Sequence, residues 1–146
     1  MALQRYSLDT VLLRRCAPLM ERAGMDITTV GGNPDLDDPI AWALRVLGFS
    51  TANVETVSDA DLSTVGVTYW DAVLDLAEVR CLESVAANLS KVSARVGNLQ
   101  QQHGELAPRV QKLADTRRRN AAITHQALLT IPIVPGAGSD ILLEAL

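Results

Sequence analysis

Val67–Leu89, VTYWDAVLDLAEVRCLESVAANL, is the stretch from which the fold is read. Trp70, Val73, Leu74, Ala77, Cys81, Val85 and Leu89 recur at helical spacing as one apolar stripe, and Tyr69, Leu76, Val79, Leu82 and Ala86 form a second beside it. Asp71, Asp75 and Glu78 keep a narrow polar strip between them. A helix apolar over most of its circumference must be covered by neighbours on several sides. At 1.5 Å per residue it spans about 35 Å, which is long for a chain of 146 residues. The expected fold is all-α, a small helical bundle around a long central helix, with an extended C-terminal arm.

Upstream, Ser7 is placed to cap a helix from Leu8 to Ala23, with Gly24 as its stop and Pro18 as a kink or split within it. Asp26–Pro39 reads as a loop through Gly31-Gly32-Asn33-Pro34 and Asp35-Leu36-Asp37-Asp38-Pro39. A helix opens at Asp38-Pro39 and ends at Gly48. Ser58 caps a short helix from Asp59 to about Val65, with Asp61 near its positive end. Downstream, SKVSARVG at 90–97 predicts a break, and a second long helix is expected from about Asn98 to Ala122. Leu99, Leu106, Val110 and Leu113 would hold its buried edge. Residues 1–122 then form the helical domain and 123–146 the arm with a short terminal helix.

Only five residues are aromatic, Tyr6, Trp42, Phe49, Tyr69 and Trp70, so the core must be mostly aliphatic, as in packed helices. The net charge of −4 disfavours non-specific binding to nucleic acid or anionic membrane. The acidity belongs to residues 1–70, with nine acids against five bases; residues 71–146 carry eight of each. No apolar stretch approaches the roughly twenty residues needed to span a bilayer. MALQRYSLDT has neither a basic nor an apolar leader region, so synthesis in the cytoplasm and free, buried thiols at Cys16 and Cys81 are expected.

The chemistry-bearing residue types do not converge. Asp35, Asp37 and Asp38 have oxygens suited to Ca²⁺ or Mg²⁺. A calcium loop counted from Asp35 would put Ile40 and Val46 where it needs glycine and an acid, so capping duty is the better reading. His103 and His125 lie at no metal-ligand spacing from Cys, His or acid, and are expected to be exposed and polar. Gly31-Gly32 lacks the strand, third glycine and lysine of a phosphate loop. No catalytic residue, metal or cofactor is expected.

Two features invite partners. Arg117, Arg118 and Arg119, with Arg109 and Lys112 against Glu105 and Asp115, make residues 102–120 net +3. They read either as a helix C-terminus offset by cations or as a contact for phosphate or an acidic protein surface; the first is favoured. Ile131-Pro132-Ile133-Val134-Pro135-Gly136-Ala137-Gly138 cannot be helical. Ser139 then caps a short apolar stretch with Ile141, Leu142, Leu143 and Leu146. This arm either packs on its own helices or docks on another subunit by strand addition or groove filling.

WDAVLDLAEVRCLES at 70–84, preceded by Val57-Ser58-Asp59-Ala60-Asp61-Leu62 and followed by Val92-Ser93-Ala94-Arg95-Val96-Gly97, resembles the small helical head–tail connector (adaptor) proteins of long-tailed bacteriophages over residues 36–120. The resemblance rests on an ordered pattern of helices rather than an invariant motif, and it brings no catalytic residues. It implies a closed ring of identical subunits, commonly about twelve, beneath the portal protein at the capsid vertex in the virion neck. DNA passes through the lumen without sequence-specific binding, and a tail or stopper protein binds below. Under it, Tyr69, Leu76, Val79 and Leu82 become the subunit interface, and Ile131, Ile133, Val134, Ile141, Leu142, Leu143 and Leu146 dock on the portal or a neighbour. The long segment 1–35 and the Pro/Gly arm depart from the simplest members. A cytoplasmic helical module that dimerises in a regulatory or scaffolding role is the alternative; a divalent-metal enzyme using the acidic loop is a third reading.

Overall fold

The computed structural model describes residues 2–53, 55–95 and 100–133, with backbone alone for 92–95 and 100–105. The protein is all-α, with α1 at Arg5–Arg22, α2 at Pro34–Val46, α3 at Asp59–Leu62, α4 at Trp70–Arg95 and α5 at Gln100–Thr124. A 3₁₀ turn, Val67–Tyr69, leads into α4, and another, Gln126–Leu128, follows α5. Among the described residues there is no strand.

The central helix is longer than its apolar pattern predicts. It runs 26 residues, about 39 Å at 1.5 Å each, and carries through the expected break as far as Arg95. The rest of that break, 96–97, lies outside the described residues, as do Asn98 and Leu99 at the expected start of the second helix. Polar Ser90 and Lys91 are exposed there, so alternation of polar residues marked a solvated helix face rather than an extended segment. Polar pairs show how its neighbours run. Asp38 and Trp42 of α2 meet Arg80, and Phe49 beyond α2 meets Tyr69. On α5, Arg118 meets Glu83, Arg117 meets Glu78 and His125 meets Asp75. Helices α2 and α5 are therefore antiparallel to α4.

Helix α1 begins at Arg5, three residues before the predicted start, and Ser7 is no cap. The orphan N–H of Arg5 donates instead to Oδ1 of Asp59 at 2.7 Å, fifty-four residues away. Pro18 neither splits nor ends α1. Gly24 closes the helix as expected: at φ +75° its N–H donates to the Glu21 carbonyl while that of Met25 reaches back to Met20, the paired bonds of a Schellman motif. Gly48 repeats the device after α2, with N–H donation from Gly48 to Arg45 and from Phe49 to Leu44.

Helix α2 starts five residues before its predicted first residue, Pro39. Asn33-Pro34 and Asp38-Pro39 carry the same local signature, a capping side chain before proline. The first prevails because the Asn33 side chain accepts from the Asp35 N–H at 2.9 Å and donates to the carbonyls of Asp26 and Thr29. Ser58 caps α3 in a reciprocal box with Asp61, and the helix closes at Leu62. Hydrogen bonds from the Ser58 and Ala52 N–H groups hold the Asp61 carboxyl below the usual range.

The core is one cluster drawn from every helix, with Leu12, Cys16, Met20, Leu36, Ile40, Leu44, Leu76, Val79 and Leu89 among its buried members. Helix α5 adds small residues, Ala107, Val110, Ala114 and Ala121, which let it lie close along α4. Leu113, expected on that edge, is instead 38 % exposed.

Candidate assembly surface

The proposed interface stripe belongs to the chain's own core. Leu76, Val79 and Leu82 are each at most 2 % exposed, and Tyr69, half-buried, meets Phe49 edge-on at 5.0 Å. Leu76, Val79 and Leu82 therefore offer no face to a neighbouring subunit, while Tyr69 stays partly exposed. Trp70 and Leu74, assigned to the inward stripe, are the partly exposed ones. They form with Leu8 and Val11 of α1 one side of an apolar groove of about 230 Å³. Three helices pack on α4, and Trp70 and Leu74 lie partly exposed beside α1.

The arginine triplet divides in three. Arg117 approaches Glu78 at 3.7 Å, and Arg118 donates to Glu83 at 3.3 Å while lying over the Trp42 ring at 5.3 Å. Arg80 stands over the same ring at 5.9 Å, so Trp42 lies against guanidinium groups from α4 and α5. Arg119 is exposed. The triplet sits in the body of α5, not at its end, so the favoured reading as dipole-offsetting cations is replaced by cross-helix pairing.

His125 is buried, against the expectation of an exposed residue, and its Nε2 lies 2.7 Å from Oδ2 of Asp75. Arg15 donates to the other oxygen of Asp75 and to Glu78. Burial works against the Arg15 charge, but bonding to Asp75 and the nearby Glu78 raise its pKa overall. These groups clasp α1, α4 and the end of α5. The side chain of His103 lies outside the described residues.

The acids of the supposed metal loop are spent separately. Asp35 accepts from the Asp26 N–H, Asp37 from Arg5 and the Val57 N–H, and Asp38 from Arg80. Among the described residues no three His, Cys, Asp or Glu side chains form a group that could hold a metal. The densest polar cluster, missed in the sequence, surrounds Arg5 and Asp9, both buried. Arg5 donates to Asp9, Asp37 and the carbonyls of Val57 and Asn33. The second Asp9 oxygen accepts three successive N–H groups, of Gly31, Gly32 and Asn33. The Arg5–Asp9 spacing of four was the available signal. The nearly saturated bonding of the cluster serves to tie the loop onto α1.

Cys16 and Cys81 are free and buried. The neighbouring Cys16 thiol and burial push the Cys81 thiol up, which disfavours its thiolate.

Val67, Ile123 and Ile131 are among the exposed apolar side chains, together with Tyr6, Val30 and Leu113. Because α5 is antiparallel to α4, the start of α4 and the end of α5 share one end. There Val67 is 70 % exposed, Ile123 70 % and Ile131 51 %. The first arm residues are bound to the bundle: the N–H groups of Thr130 and Ile131 both donate to the Val46 carbonyl, and Ile133 packs against the core. A division at residue 122 falls inside α5. The docking candidates Val134, Ile141, Leu142, Leu143 and Leu146, with the rest of 134–146, lie outside the described residues. No helix among the described residues is long and apolar enough to cross a membrane.

Compared with protein families, curated proteins and solved structures, the chain matches none.

Proposed function

We propose that the chain is a structural rather than catalytic protein, a subunit of a head–tail connector ring in the virion neck of a long-tailed bacteriophage. The ring of about twelve copies sits between portal and tail or stopper protein, and DNA passes through its lumen without sequence-specific binding. The observation that carries the reading is exposed apolar surface. Val67, Ile123 and Ile131 are exposed, and the sequence after Ile133 itself bears Ile141, Leu142, Leu143 and Leu146. Apolar side chains left exposed in this way suit contact with a partner. The polar clusters support the same reading, since their groups pair across helices and hold the bundle rigid. Contacts between subunits then involve these apolar residues and the Trp70–Leu74 groove.

Negative-stain imaging and native mass spectrometry test the proposal, with the protein alone over rising concentration and mixed with a candidate portal protein. Closed rings, or rings seated on portal, are expected. A monomer that ignores portal under assembly conditions would overturn it, and so would a stable dimer with no higher form.

A further inference from the structure

The bundle leaves an apolar groove open at the point where the chain departs from it. Its walls are Ala122 and Ile123 from the last turn of α5, Gln126 and Leu129 beyond it, and Pro132 and Ile133, around about 400 Å³. No acid lines it. Arg119, one helical turn before Ile123 and therefore on the same face of α5, is exposed and enters no ion pair among the described residues.

The sequence that follows Ile133 has the complementary chemistry. VPGAGSDILLEAL, 134–146, carries the aliphatic residues Ile141, Leu142, Leu143 and Leu146, the acids Asp140 and Glu144, and no base. Its acids suit Arg119 and its aliphatics suit the groove. Five residues, 134–138, separate the groove wall from Ser139. Extended, they reach about 17 Å, and Gly136 and Gly138 permit the chain to reverse. Since Pro132 and Ile133 are themselves walls, the segment begins at the groove. A tether this short gives an effective concentration on the order of millimolar, well above that of a second copy at ordinary protein concentrations.

We infer that this groove is the docking site of the chain's own 139–146 segment, which covers Ile123 in the free subunit with its acids towards Arg119. The inference concerns the free subunit and holds whether or not the protein builds a ring.

The test is disulfide trapping in the full chain, comparing Ile123→Cys with Leu142→Cys against Leu113→Cys with Leu142→Cys. Positions 113 and 123 are both exposed on α5, about 15 Å apart along the helix, so neither substitution removes core. Circular dichroism before oxidation confirms that both variants are helical. Copper–phenanthroline then oxidises the thiol pair in a mixture of ¹⁵N-labelled and unlabelled protein. Trapping at least tenfold faster for 123 with 142, in peptides of a single label, is expected. Equal rates for the two variants, no trapping, or mixed-label products, which would mark a second copy as the occupant, each overturn the inference.

Discussion

Arg5 is a buried cation whose worth lies in what it leaves behind if removed. Asp9 is fully buried against it, and deleting one partner of a buried pair costs about 3–5 kcal/mol because the other charge loses its compensation. Arg5→Met should therefore destabilise the protein by about 3 kcal/mol or more in urea unfolding, whereas Arg14→Met, at an exposed position, should change it by less than about 0.5 kcal/mol. Asp26 gives a pH signature. The Thr29 hydroxyl and the Thr28 N–H bond to its carboxylate and hold its pKa at about 2, below the unfolded value of about 3.9. A carboxyl depressed by folding contributes stability above the unfolded pKa and loses it as pH falls through the folded one. Asp26→Asn should melt below wild type at pH 6, and the gap should close as pH falls to about 2. A gap independent of pH would show that the charge on Asp26 plays no part. The types and spacing of Arg5 and Asp9 were visible in the sequence. Their importance was not, because three of the bonds to Asp9 come from a loop more than twenty residues away.

At the scale of elements, the two glycine-closed helices separate backbone strain from crowding. Gly24 and Gly48 both have positive φ. A Cβ on Gly24 would meet nothing within 4 Å, but on Gly48 it would lie 2.6 Å from Oγ1 of Thr130. Gly24→Ala should cost about 1 kcal/mol, the price of the left-handed conformation. Gly48→Ala should cost more, and Thr130→Ala should recover part of the difference, as measured by thermal or urea unfolding. Both helix stops were readable because a C-terminal glycine acts locally. The starts of α1 and α2 were misplaced because Asp59 and the Asn33 network supply caps that local signatures cannot rank. The arginine triplet is also decided between elements: Arg118→Ala should cost about 1–2 kcal/mol through lost packing on Trp42 and the Glu83 pair. Arg119→Ala should stay within about 0.5 kcal/mol.

Across the whole molecule, the clasp of Arg15, Asp75, Glu78, Arg117 and His125 governs how firmly the end of α5 is held. His125→Ala should lower amide exchange protection over about residues 121–131 while leaving the buried part of α4 protected, because local opening follows the loss of local contacts. Equal loss of protection everywhere would mean that His125 supports the entire core instead. Ile123 and Ile131 are exposed near His125 in the chain, so loosening this region would also alter the proposed assembly surface. By itself the sequence determined the helical class, the central helix and the buried thiols, since periodicity and composition act within a few turns of one chain segment. Only the tertiary structure decided which sides of that helix are covered. Both apolar stripes had the same local chemistry, and Leu76, Val79 and Leu82 were enclosed because α1, α2 and α5 pack around α4. Which apolar side chains stay exposed likewise depends on packing between segments far apart in the chain.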